Sequence, residues 1–269
     1  MDTKPLLTAR GLLKSFGGVV AVNLVDFDIF PGEILALIGP NGAGKTTIFN
    51  LISGTHRLDQ GQIVFADQDI ANLRPSQVAR LGVVRTFQNL QIFANMTALE
   101  NVMVGCHLQG KAGFLASALR LPGTAVEEAH MRREAMKYLE LVGLADQAHL
   151  PATSLPFGQQ RMVEFARTLA VRPRLLLLDE PAAGLTRVEA EELDQLICRI
   201  REQGITVFLV EHDMNLVMGI ADRVIVVQYG TKIADGTPAE VQSNTAVIQA
   251  YLGADWEGIH QPVMEAENA

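Results

Sequence analysis

Two groups of residues have the types and spacing to work on a phosphorylated substrate. The first is Gly39-Pro40-Asn41-Gly42-Ala43-Gly44-Lys45-Thr46-Thr47, which fits the phosphate-loop pattern G-x-x-x-x-G-K-[ST]. Glycines at 39, 42 and 44 allow backbone angles and close approaches that side chains block. Successive amides, including those of Asn41 and Ala43, then meet a triphosphate at the positive end of the following helix. Lys45 reaches the β- and γ-phosphates, the Thr46 hydroxyl suits a magnesium ion, and Thr47, the last residue of the motif, is counted among the nucleotide-binding residues. The second group is Leu175-Leu176-Leu177-Leu178-Asp179-Glu180-Pro181, an apolar strand that ends in two carboxylates. Asp179 suits a magnesium ligand. Glu180 suits the group that orients or deprotonates an attacking water. Alone, an Asp-Glu pair reads better as a solvated turn; the four leucines and the earlier loop reverse that.

These residues need elements to position them. Asn23–Phe30 alternates, with Val25, Phe27 and Ile29 on one face and Asp26 and Asp28 on the other, before a turn at Pro31-Gly32. Glu33–Ile38 is a short apolar strand that enters the phosphate loop, and Lys45–Ile52 is the helix that leaves it. Gln62–Ala66 is a further strand. From about Asn89 to Leu155 the pattern turns helical, opening on a capping box at Thr97–Glu100. Glu127–Val142 is an amphipathic helix stopped by Gly143. Gln109–Gly123, between them, reads as a surface connection or short insert. Leu175–Leu178, Val207–Val210 and Val224–Val227 are apolar on both faces, as covered parallel strands are. Helices over Glu189–Gln203 and Met214–Ala221 separate them, and Thr237–Glu240 is a second capping box with proline at its first helical position. This order predicts an α/β nucleotide-binding core with an inserted helical lobe.

Totals narrow the classes. With 30 acidic against 22 basic residues, a net charge of −8 argues against a protein-wide grip on nucleic acid or anionic lipid. No apolar run approaches the ~20 residues of a membrane-spanning helix. Lys4-Pro5 leads straight into a strand-like segment, which is not the layout of a secretory signal, so a soluble cytosolic protein is expected. Cys106 and Cys198 read as small buried hydrophobes.

Leu155-Pro156-Phe157-Gly158-Gln159-Gln160-Arg161, followed by MVEFARTLA and LLLLDEP, resembles the signature region of ATP-binding-cassette proteins, often written LSGGQ. The resemblance covers nearly the whole chain. Phe16 falls where the family stacks an aromatic on adenine. Gln88 in RTFQNLQIF matches the glutamine loop, Ala182–Thr186 the D-loop, and His212 in LVEHD the switch histidine. The resemblance implies a P-loop NTPase (RecA-like) core with an antiparallel β subdomain and an inserted α-helical subdomain. It divides the chain into a core over 1–88 and 166–253, a helical subdomain over 89–165, and a flexible tail over 254–269.

It further implies ATP and Mg2+ as cofactors, with Glu180, His212 and Gln88 catalytic and with Thr46, Gln88 and Asp179 at the metal. Two such domains pair head to tail, each ATP held between one phosphate loop and the opposite Phe157-Gly158-Gln159. Two departures stand out: Pro156 where many members carry serine, with Phe157 replacing the first glycine, and Thr186 where the D-loop often has aspartate or asparagine.

Finer phrases resemble the importer group for branched-chain amino acids. They are FGGVVAVN from Phe16, GVVRTFQNLQIF from Gly82, DEPAAGL from Asp179, EHDMNLVMGIADRVIVV from Glu211, and the terminal VIQAYLG from Val247. That resemblance implies a second cassette subunit (paralogue or self), two transmembrane permease subunits, and indirectly a periplasmic or extracellular substrate-binding protein, with no nucleic acid. The chain would sit peripherally at the cytoplasmic face of the plasma membrane. Leu90, Ile92 and Phe93, which look exposed, are candidates for a groove that receives a membrane-subunit helix. Importers of urea, amides or other amino acids, and a non-transport switch protein of the same superfamily, remain alternatives.

Overall fold

A computed structural model describes residues 4–86, 90–107 and 124–252. Its elements in chain order are β1 (Leu7–Phe16), β2 (Val19–Ile29), β3 (Ile34–Ile38), α1 (Lys45–Ile52), β4 (Gln60–Phe65), β5 (Gln68–Asp69), α2 (Pro75–Arg80), β6 (Val83–Arg85) and α3 (Ala98–His107). Then follow α4 (Thr124–Leu141), α5 (Phe157–Ala170), β7 (Leu175–Asp179), α6 (Arg187–Glu202), β8 (Thr206–Val210), α7 (Met214–Ile220), β9 (Arg223–Gln228), β10 (Thr231–Gly236), α8 (Pro238–Ser243) and α9 (Thr245–Leu252). The chain divides into two compact units, one from residues 1–72 with 208–269 and one from 73–207. The expected insert at Gln109–Gly123, the tail after 253 and Gln88 lie outside the described residues.

In the first unit an antiparallel sheet runs β2-β1-β4-β5. Its pairing sets Leu7 opposite Ile29 and Ala9 opposite Phe27. Val25, Phe27 and Ile29 are buried while Asp26 is exposed, as the alternation requires. The second sheet of this unit runs β10-β9-β3-β8, with β3 parallel to β9 and β10 antiparallel to it. Every residue of β3 and of β8 is buried, which explains why neither alternates. Phe49 of α1 packs on Phe208 at 4.8 Å between ring centroids, and Phe27 joins them at 5.6 Å, tying helix, sheet and strand into one core.

In the second unit β6 and β7 are parallel, with Arg85 opposite Leu177. Leu99 and Val102 of α3, Ala135 and Leu139 of α4, and Val163 and Ala166 of α5 form a separate apolar core. The capping box at α3 is present: Thr97 donates its backbone N–H to Glu100 at 2.8 Å and accepts the Glu100 N–H at 3.2 Å. The box at α8 repeats it with Thr237 and Glu240.

Several expectations need correction. The strand predicted from Asn23 begins at Val19, because the Gly17-Gly18 turn lets Val19 pair with Phe16 and extends the hairpin. Leu90 and Ile92 are half-buried, and only Phe93 of the three is exposed. Cys106 and Cys198 are half-buried, not fully enclosed. Elements β5, α2, β6, β10 and α9 were not foreseen; each is too short for its periodicity to stand out. Among the described residues no helix is long and apolar enough to cross a membrane.

Candidate active site

The phosphate loop belongs to the first unit, between β3 and α1. Gly39 is pressed so closely on β9 that an added Cβ would stand 2.1 Å from the Val227 carbonyl oxygen. Gly44 caps α1 at φ 103°, and a Cβ there would meet the Ala21 carbonyl oxygen at 2.4 Å. The loop is further pinned where Ala43 donates to the Pro40 carbonyl at 3.1 Å and Gly230 donates to the Ala43 carbonyl at 3.0 Å. Lys45 Nζ folds over this backbone, donating to the Gly39 carbonyl at 2.6 Å and the Pro40 carbonyl at 3.1 Å. Asn41, Gly42 and Thr46 face outward, Thr47 is half-buried and Ala43 is buried. The result is a rigid backbone cradle, with a cation at its centre and a hydroxyl at its rim.

Three other residues of this unit complete its contribution. Phe16, at the end of β1, is exposed, with His56 edge-on at 5.2 Å and Lys14 Nζ 5.2 Å from its centroid. His212 follows β8 with an exposed side chain. Its N–H donates at 3.1 Å to the buried carboxylate of Glu211, which holds the turn, and Asp213 caps α7. Tyr251 of α9, whose role sequence reasoning missed, packs against the core around Ala36 and Ile38, directly before the loop. Burial raises its phenol pKa, and the Gly39 backbone beside it offsets part of that rise.

The second unit holds the acids. Asp179 ends β7 almost fully buried and accepts from Arg85 Nη2 at 2.6 Å. Glu180, the next residue, has φ 47°, a left-handed backbone that is unusual for a residue with a long side chain. Such angles cost ~1–3 kcal/mol and concentrate at working sites. Ala183 donates to the Glu180 carbonyl at 3.1 Å and so closes the turn that presents this carboxylate.

The Phe157-Gly158-Gln159 segment opens α5, and Pro156 serves as an N-cap without a side-chain bond. Phe157 is exposed, Gly158 buried and Gln159 half-buried. A Cβ at Gly158 would sit 2.0 Å from Glu189 Oε1, so the glutamate side chain would have to move to admit one. Glu189 is in turn held by Thr186, whose hydroxyl and N–H both donate to its Oε2 at 2.8 Å. The threonine at this D-loop position is therefore the N-cap of α6, and its hydroxyl is engaged within the chain.

A second set that sequence reasoning missed sits beneath this helix start. Arg161 donates to Glu164 at 3.0 Å with both side chains buried, and Arg167 stands 3.9 Å from the same carboxylate. Burial, foremost, pushes the Glu164 carboxyl up and the Arg167 guanidinium down. The other Glu164 oxygen accepts the Gln91 N–H at 3.3 Å, while Asn101 exchanges two bonds with the backbone of Phe93. These residues dock the strand-like segment after the glutamine loop onto α3 and α5. Beside them lies a groove of about 310 Å³ lined by Ile92, Phe93, Val104, Thr168 and Val171.

Thr46 in the first unit and Asp179 in the second each offer a hard oxygen of the kind magnesium takes, and among the described residues no group of three acidic, histidine or cysteine side chains could hold a metal ion. Magnesium characteristically takes one or two protein oxygens and draws the rest from water and substrate phosphates.

Comparison with known proteins agrees with this geometry. Residues 22–183 match the ABC transporter family model, and residues 231–257 match that of the branched-chain amino acid ATP-binding cassette transporter. The chain is 46% identical over 252 residues to the high-affinity branched-chain amino acid transport ATP-binding protein LivG of Escherichia coli K12, covering 93% of this chain and 99% of the relative. BraF of Pseudomonas aeruginosa, with the same description, is 44% identical over the same shares. A solved ADP conformation of an ATP-binding cassette of an ABC transporter superimposes with a TM-score of 0.81 at 30% identity, covering 93% of this chain and all of that one. With loop, acid strand and signature helix all built as described, the chain belongs to the ATP-binding cassette transporter family, as one of its ATP-binding subunits.

Proposed function

We propose that this chain hydrolyses ATP to power an importer of branched-chain, hydrophobic amino acids from the cytoplasmic face of the membrane. The observation that carries the reading is the 46% identity to LivG across almost the full length of both chains, reinforced by the match over residues 231–257.

The residues divide the work as follows. Phe16 stacks on the adenine, the amides of Gly39–Thr47 wrap the phosphates, and Lys45 exchanges its carbonyl partners for β- and γ-phosphate oxygens. Thr46 and Asp179, with Gln88, would hold Mg2+, which would supply positive charge to offset that of the phosphates. Glu180 takes the proton of the water that attacks the γ-phosphorus, as the bond to the ADP oxygen breaks. His212 donates to the γ-phosphate and keeps that water in line.

A second cassette subunit, paralogue or self, supplies its Phe157-Gly158-Gln159 equivalent to this chain's ATP, and this chain returns the service. Pro156 lacks the hydroxyl of the commoner serine, so backbone amides carry that contact. Residues 89–165 act as the helical subdomain, and the groove at Ile92 and Phe93 takes a short apolar helix from one of two membrane subunits. A substrate-binding protein outside the cell selects the solute.

Uptake of labelled leucine, isoleucine and valine in cells carrying Lys45→Ala is the test. Loss of all three, with urea and amide uptake intact, is expected; unimpaired leucine uptake overturns the assignment.

A further inference from the structure

Arg85 and Asp179 make a contact that the proposed chemistry does not use. Arg85 closes β6 and Asp179 closes β7, and the parallel register brings both side chains to the same end of the pair. Arg85 Nη2 donates to Asp179 Oδ2 at 2.6 Å, with the side chains only 10% and 7% exposed. Asp179 is also the carboxylate assigned above to Mg2+. A guanidinium and a divalent cation on one buried carboxylate repel each other through a medium that screens poorly. Each of the two contacts therefore weakens the other.

We propose that Arg85 is a placeholder counter-ion for Asp179. It holds the carboxylate in place when no divalent cation is bound, and gives up this bond as the metal and nucleotide load. The proposal rests on the reading of Asp179 as a metal ligand. A buried carboxylate left without any partner is costly, so the placeholder keeps the metal-free chain folded. The same bond weakens metal binding, because each ion that enters must displace it. Arg85 is a positioning residue in this scheme, acting through Asp179. It lies three positions before Gln88 in the chain, so its release occurs at the entrance to the glutamine loop.

The test titrates Mg2+ into full-length protein saturated with a fluorescent ADP analogue and reads the half-saturating metal concentration. Arg85→Gln is expected to lower that concentration about tenfold, or about 1.4 kcal/mol, and also to lower the melting temperature without metal. Arg85→Lys, which keeps the charge, is expected to stay near wild type in both. A half-saturating concentration in Arg85→Gln equal to or above wild type overturns the proposal, leaving the pair as scaffold only. Asp179→Asn separates the two layers of inference: an unchanged Mg2+ requirement there sinks the metal assignment itself. Should Arg85→Gln fail to fold, wild type labelled at arginine side chains gives the answer by NMR. The Arg85 resonance should shift with Mg2+ and ADP but not with ADP and a chelator, and a resonance that shifts equally in both overturns the proposal.

Discussion

In the first unit the working loop is held by backbone. Gly39 and Gly44 bring main chain within reach of main chain on β9 and β2, and Lys45 rests on loop carbonyls. In the second unit the working groups are flanked by side chains: Asp179 by Arg85, Gly158 by the carboxylate end of Glu189, and the helix under the signature segment by Arg161 and Glu164. Backbone packing cannot be exchanged for another partner without unfolding, whereas an ion pair can be traded for a ligand of the same charge. The contrast matches the tasks. A phosphate cradle needs one shape, while acids and signature helix must answer to metal, nucleotide and partner.

The largest expected effect separates binding from turnover. Glu180→Gln should lower ATP hydrolysis about 10²–10⁴-fold while nucleotide affinity, read by calorimetry, stays within a few-fold of wild type. An equal loss in both would mean that Glu180 holds the nucleotide and does not activate water. Next comes Gly39→Ala, whose Cβ would stand against the Val227 backbone carbonyl. Overpacking of this kind should destabilise the chain by about 2–3 kcal/mol, measured by urea unfolding, and should abolish nucleotide binding.

Gly158→Ala tests the opposite case, because the atom in its way is the end of a flexible glutamate. Its cost should be about 1 kcal/mol, and Glu189→Ala in the same chain should restore most of the loss. If the double variant recovers nothing, the two units are not held differently at these glycines. The smallest effect is a pH dependence. Bonds from the Thr186 and Thr237 backbones, then from their hydroxyls, hold Glu189 and Glu240 below the usual carboxylate range. A lowered folded value means that this stabilisation is present above the unfolded pKa of about 4.3 and is lost as pH falls below it. Urea midpoints between pH 6 and pH 3 should therefore fall less in Glu189→Gln than in wild type. Parallel curves would remove the capping box from the account.

Much of the first unit was legible beforehand because its constraints are local. A glycine pattern followed by Lys45 fixes a loop whatever surrounds it, and α1 runs over Lys45–Ile52 as its periodicity predicts. The alternation of Val25, Phe27 and Ile29 likewise states which face is buried. The second unit was legible at Asp179, Glu180 and the start of α5, where short motifs carry the signal. Its support was not. Arg85 meets Asp179 from 94 positions away, and Glu164 meets Gln91 from 73. Nothing within a window of either residue announces the other.

By itself, then, the order of residues determined most of the elements, the phosphate loop and the acid pair, which depend on neighbours within a few positions, and the family, which several such motifs in order identify. Only the tertiary structure decided which charges face each other across the chain and which side chain stands against Gly158. Those depend on strands and helices brought together from distant parts of the chain, and burial there turns ordinary surface residue types into paired, desolvated groups.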